Sequence, residues 1–175
     1  MLFLLFQLGP DRYAIEAQRA VEIVPLLDLK RIPHSPSGVA GIINYRGRPV
    51  PTIDLCALTL GRPAREQLST RIIILRHDDA KGRPQLVGVI AERATDLLRK
   101  AAPHPASKLS APARPGIPRT EPELSGAEAA RARFLGPVMM DEKGFLQLVQ
   151  PEHLLTEAVR EALFAQVEAF SYEGD

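Results

Sequence analysis

Residues 37–55 read Ser37-Gly38-Val39-Ala40-Gly41-Ile42-Ile43-Asn44-Tyr45-Arg46-Gly47-Arg48-Pro49-Val50-Pro51-Thr52-Ile53-Asp54-Leu55, the order of a hairpin that runs into a helix. From Val39 the chain is extended through Ile42, Ile43 and Tyr45, turns at Arg46-Gly47-Arg48-Pro49, and returns as Val50-Pro51-Thr52-Ile53. Proline fixes φ and donates no backbone hydrogen bond. Pro49 and Pro51 therefore confine the return strand to a sheet edge, or to positions whose alternate N–H groups face solvent. Asp54 stands where an N-cap belongs, ahead of a short helix over residues 55–60 that Gly61 closes as a left-handed cap.

The flanking sequence has the same β character. Residues 2–8 form a Phe- and Leu-rich run that stops at Gly9-Pro10-Asp11-Arg12, and Tyr13-Ala14-Ile15-Glu16 follows, which together read as a hairpin. Alternation in Ala20-Val21-Glu22-Ile23-Val24 predicts a third strand with Val21 and Ile23 on one face. Arg71-Ile72-Ile73-Ile74-Leu75 reads as a buried strand, bounded by His77-Asp78-Asp79 and Lys81-Gly82-Arg83-Pro84, with Leu86-Val87-Gly88-Val89-Ile90 as its partner. Residues 94–98 are expected to continue as another strand. Asp141-Glu142-Lys143-Gly144 separates two more runs, and its glycine is a hairpin signal. Between these lies a Pro-, Ala-, Ser- and Arg-rich segment, 101–133, expected as a long exposed loop with a short helix over 126–133. Pro151 is expected at a helix N1 position, and Leu155, Val159, Ala162, Leu163 and Val167 follow at helical spacing, predicting an amphipathic helix over 151–170 packed on the strands. The fold class is mostly β with a C-terminal helix.

The bulk properties exclude more than they assign. The 175 residues suffice for one domain or for two very small barrels that share a core. A net charge of +1 gives no support for nucleic acid or an anionic membrane as partner. Cys56 is the single cysteine, so no disulfide framework or thiolate metal cluster is possible, and it is expected as a small buried side chain. The apolar start lacks a basic leader and a small-residue cleavage site, so a buried first strand is expected rather than a signal peptide. No stretch approaches the roughly 20 apolar residues that span a bilayer. A cytoplasmic location without direct membrane insertion is expected.

Catalysis needs a nucleophile with a base, a carboxylate pair or a ligand cluster. His34, His77, His104 and His153 are scattered, and His77-Asp78-Asp79 reads as a solvated turn rather than a metal site. Gly38, Gly41 and Gly47 match no phosphate-binding spacing. Tyr13, Tyr45 and Tyr172 are too few and too separated for a base-stacking platform. No enzyme activity, cofactor or metal is expected. Arg46 differs: it precedes Gly47 on a rigid turn, where a planar guanidinium makes a good protein-binding anchor. Arg46 and Arg48 are equally readable as ordinary solvated charges.

The segment resembles the signature of the CheW-like domain family, the coupling proteins of bacterial chemosensory arrays. That pattern runs Gly-x-x-Asn-x-Arg-Gly-x-x-x-Pro-x-x-Asp-Leu, and Gly41, Asn44, Arg46, Gly47, Pro51, Asp54 and Leu55 supply it in register. Ile32-Pro33, Pro36 and the strand at Tyr13-Ala14-Ile15 also resemble the family. The likeness covers residues 1 to about 100 closely and 134–170 loosely. It implies one CheW-like domain over residues 1–175, built of two SH3-like five-stranded β-barrels at about 14–65 and 70–150. The strand 1–8 and the helix 151–170 then pack on the barrels. It also implies a non-enzymatic scaffold that bridges a methyl-accepting chemoreceptor to a CheA-type histidine kinase. The receptor contact lies in the groove between barrels, and the kinase contact uses exposed hydrophobic residues. Asn44, Arg46 and Gly47 become the candidate protein-binding residues, with Val39 and Ile43 assigned to the core. The long 101–133 insert and the Leu-rich start are similar to the Wsp-type surface-sensing branch. A small β-barrel that binds nucleic acid is the alternative from another class; it requires Lys and Arg clustered on one barrel face.

Overall fold

Residues 72–75 and 2–8 are almost uniformly apolar, whereas a strand with one wet face should alternate. The computed structural model, which describes residues 1–78, 82–99 and 133–171, shows that both faces of these strands are covered. Among the described residues the strands are β1 (Leu2–Leu8), β2 (Asp11–Glu16), β3 (Ala20–Pro25), β4 (Val39–Tyr45), β5 (Arg48–Asp54), β6 (Arg71–Asp78), β7 (Pro84–Arg99), β8 (Leu135–Asp141) and β9 (Gly144–Val149). Two α-helices accompany them, α1 (Leu55–Leu60) and α2 (Glu157–Ser171). The protein is mostly β, as its sequence predicts.

Pairing divides the strands into two groups of five that share β7. In one, the order is β3-β6-β7-β5-β4, with β7 antiparallel to β6 over its first half and parallel to β5 from Thr52↔Gly88 to Asp54↔Ile90. In the other it is β7-β1-β2-β9-β8, with β7 now antiparallel to β1 and β2 parallel to β9. The register between β1 and β7 shifts between Leu5 and Gln7, close to Arg93, whose φ is 47°. This irregularity lets one strand leave the first group and enter the second. The segment 94–98 is thus the far end of β7 rather than another strand. Pairing also joins the ranges 14–65 and 70–150, since β3 pairs with β6 and β5 with β7.

Alternate side chains of the shared strands point into different cores. Ile72 and Ile74 pack with Ile43, Tyr45, Val50 and Ile90 inside the first group. Ile73 and Leu75 face the other way, into a core shared with Leu4, Phe6 and Leu8 of β1 and with Phe134, Val149 and Leu154. Phe3 takes the opposite side of β1 and joins Ala14, Met139, Leu146 and Leu148 inside the second group. A strand buried on both faces reads as a continuous apolar run, which is why the alternation is missing. Phe3 and Phe6 are core, and Ile43 is fully buried.

Several local expectations hold and others shift. Leu8 and Asp11 close the first hairpin, and Asp141 and Gly144 close the last. Pro49 and Pro51 precede the stretch of β5 that also pairs with β7, so neither is asked for the second ladder's hydrogen bonds. Val21 and Ile23 do share a face of β3, but that face is exposed. Pro151 heads a short 3-10 turn, Pro151–His153, and α2 begins only at Glu157. Its Leu163 and Val167 are buried against Ile32 and Ile42, with Leu155 and Val159 packed alongside. His77 and Asp78 lie within β6 rather than in a solvated turn. The insert over 101–132, with all but the last residue of its expected helix, lies outside the described residues.

Candidate functional site

The hairpin turn that joins β4 to β5 has two residues, Arg46 and Gly47, at φ 52° and 80°. Positive φ at both central positions is the geometry that matches the right-handed twist of two paired strands. Glycine adopts it freely; arginine does so at a cost that the surroundings must offset. Part of that support comes from Asn44, whose Oδ1 accepts the Gly47 N–H at 2.8 Å. Asn44, Arg46 and Gly47 are therefore brought together, all three exposed, and two of them shape the turn that carries the third.

Between them, Tyr45 is buried in the first group's core. Its ring lies under the guanidinium of Arg46, 5.3 Å from ring centroid to Cζ. Its hydroxyl donates to Glu22 Oε2, and Arg46 Nη2 meets the same oxygen at 2.8 Å. The tyrosine hydrogen bond, helped by Arg46, holds the Glu22 carboxyl below the usual range, and the same bond raises the Tyr45 hydroxyl. Arg46 still has 72% of its side chain exposed. It is a cation aimed outward from a fixed base, while Arg48 on the next strand is exposed without such bracing among the described contacts.

Sequence reasoning missed Glu22. Its one signal was a carboxylate between Val21 and Ile23 on an apolar strand, and its partners, Tyr45 and Arg46, lie 23 and 24 residues further along the chain. It also missed a polar junction beneath the two groups. Asp54 caps α1 as expected, with Oδ1 accepting the Cys56 and Ala57 N–H groups, and its Oδ2 accepts the Ala64 N–H at 2.8 Å. Glu92, only 7% exposed, sits where β7 changes group. It accepts from Arg62 at 2.8 Å and from the Arg65 N–H at 2.9 Å, with the Gly9 N–H at 3.4 Å. Arg62 foremost holds the Glu92 carboxyl down to about 2. Beside it Cys56 is fully buried, and burial first, then the Glu92 and Asp54 charges, push its thiol up to about 12. A thiol so raised is no nucleophile at neutral pH. Among the described residues no three His, Cys, Asp or Glu side chains are grouped to hold a metal ion, and no helix is long and apolar enough to cross a membrane.

Over 98 residues the chain is 35% identical to the chemotaxis protein CheW of Helicobacter pylori, a stretch that makes up 55% of this chain and 56% of that protein. Over 157 residues it is 26% identical to a probable chemotaxis protein CheW of Rhizobium etli, covering 90% and 88% of the two chains. The match thus spans little more than half of the first relative's length and most of the second's. The crystal structure of the scaffolding protein TtCheW from Thermoanaerobacter tengcongensis has the same fold, with a TM-score of 0.64 at 19% identity over 89% of this chain and 87% of that one. The family model described as the CheW-like domain matches residues 2–115, which include the braced turn, and this chain belongs to the CheW-like domain family.

Proposed function

We propose that this chain is a non-enzymatic scaffold that couples a methyl-accepting chemoreceptor to a CheA-type histidine kinase in a chemotaxis or surface-sensing array. The observation that carries the reading is the braced turn. Tyr45 and Glu22 fix the direction of Arg46 while most of its side chain stays in solvent. An arginine held in advance loses little conformational freedom on binding and offers a planar fork of donors. In this reading Asn44 and Gly47 set the turn and Arg46 makes the contact. Membership of the family, and relatives named as chemotaxis proteins, support the coupling role.

The outermost strands of both groups carry exposed apolar side chains suited to a kinase domain. They are Val21 and Ile23 on β3, and Val138 and Met140 on β8 with Phe145 opposite Met140. The chain acts in the cytoplasm, recruited to receptor clusters at the inner membrane, and needs no cofactor or metal. Co-sedimentation tests the reading: with receptor-bearing vesicles and the kinase, the kinase should pellet only when this chain is added. Kinase that stays in the supernatant with and without the chain overturns it.

A further inference from the structure

The first turns of α2 carry a buried cation. Arg160, 9% exposed, packs beneath the helix, and its Nη1 contacts Nε2 of His77 near the end of β6. The pocket where they meet is walled by Leu75, Val87, Leu154 and Leu155. A cation near a helix N-terminus gains nothing from the helix dipole, so the contacts around this guanidinium matter for docking. A guanidinium has only donors. The Nε2 that faces it must therefore offer a lone pair, which makes His77 the neutral tautomer with its proton on Nδ1.

Other charges reach His77 from each side. Asp78 follows it on β6, Glu152 comes from the 151–153 turn and Arg19 from the 17–19 turn; the acids favour protonation and Arg19 opposes it. β7 presents the uncharged Gln85 and Val87 there. Burial foremost, then Arg160, hold the imidazole below its ordinary value. From this geometry we propose that His77 and Arg160 form a pH-sensitive latch, which keeps α2 docked near neutral pH and releases its first turns on mild acidification. Protonation removes the acceptor and sets a second cation against the first. An undocked histidine titrates near 6.5, so the latch is complete above that pH and is lost as pH falls below it.

Amide hydrogen exchange on the whole chain tests this, with protection corrected for intrinsic rates at pH 7.5 and 5.5. Protection over residues 158–167 should fall about tenfold in the acid arm while the β6 amides keep theirs. His77→Gln keeps an acceptor and cannot titrate, so its α2 protection should match at the two pH values. An unchanged wild type, or an equal loss in His77→Gln, overturns the latch. Arg160→Gln removes the opposing cation but leaves the burial of His77, so it should reduce the acid loss without abolishing it; a loss as large as the wild type's in that variant counts against the proposal even if His77→Gln does not fold.

Discussion

The guanidinium of Arg46 reaches the carboxylate of Glu22 at 2.8 Å, on the oxygen that also accepts the Tyr45 hydroxyl. One carboxylate thus ties β3 to the turn between β4 and β5. The pair is open to solvent on the arginine side, where Coulomb attraction is screened and adds little to stability. Its effect is on direction. The ring of Tyr45 below and Glu22 beside leave the guanidinium one course outward, while Asn44 and Gly47 fix the backbone that carries it.

Arg46→Ala is accordingly expected to fold with its thermal midpoint within about 2 °C of the wild type. It should weaken capture of receptor or kinase domains by about 1–3 kcal/mol, the range for losing an interface anchor. Arg48→Ala is the matched control and should bind nearly as before. Circular dichroism and titration against the receptor's cytoplasmic tip read both quantities from the same samples. Unfolding of Arg46→Ala would make the arginine structural, and intact binding would remove this turn from the coupling surface.

A second prediction concerns pH. Glu92 is held at about 2 in the folded protein, well below its ordinary value of 4.5. A depressed carboxylate contributes stability above its unfolded value, and that contribution drains away as pH falls from about 4.5 toward 2. Allowing for screening at the one-third exposed Arg62, the contribution is about 2 kcal/mol. Glu92→Gln should therefore unfold in less urea at pH 7 than the wild type, and the gap should narrow steadily below pH 4.5. A gap that stays constant down to pH 2.5 would show that Glu92 supports the junction by shape alone.

The hairpin over 39–54 is legible in sequence because its signals are local. The turn residues, the two prolines and the Asp54 cap each act within a few positions of themselves. The path of β7 is not. The polar Glu92-Arg93 pair interrupts an apolar run, and what makes the strand continuous is the set of donors at Gly9, Arg62 and Arg65, which are 83, 30 and 27 residues away. Alternation likewise says that Val21 and Ile23 share a face, but which face is covered depends on the neighbouring strand. Pro151 fits the first turn of a 3-10 turn as well as that of an α-helix, since both leave the first N–H groups unpaired. For the site, Arg46 is legible from its turn; Glu22 is not, because nothing within β3 announces a partner 24 residues on.

Gly41 gives a third test. Its φ is 149°, and a Cβ there would lie 2.5 Å from the carbonyl oxygen of Lys30. That carbonyl accepts the Ile42 N–H at 2.8 Å, while the Lys30 N–H donates to Ile42 at 2.9 Å, so it cannot withdraw without breaking the bridge. Gly41→Ala should lose about 2 kcal/mol or more by chemical denaturation. Gly47→Ala, at positive φ but with open space around it, should lose only about 1 kcal/mol. Equal losses would mean that the close approach at Gly41 relaxes freely.

The last prediction tests whether α2 belongs to the folded unit. Leu163 is 2% exposed and packs with Val167 against Ile32 and Ile42, the outward-facing isoleucine of β4. Leu163→Asp would bury a carboxylate among these side chains, where desolvation is uncompensated and typically costs several kcal/mol. The carboxylate can escape only by taking a proton or by lifting the helix away. Both routes have a signature: the first makes the variant more stable in acid, the second exposes the 157–167 amides to exchange while β6 stays protected. Denaturation of the variant at pH 7 and pH 4, followed by exchange on the same sample, separates them. A variant as stable as the wild type at both pH values, with α2 still protected, would contradict the packing of Leu163 on β4.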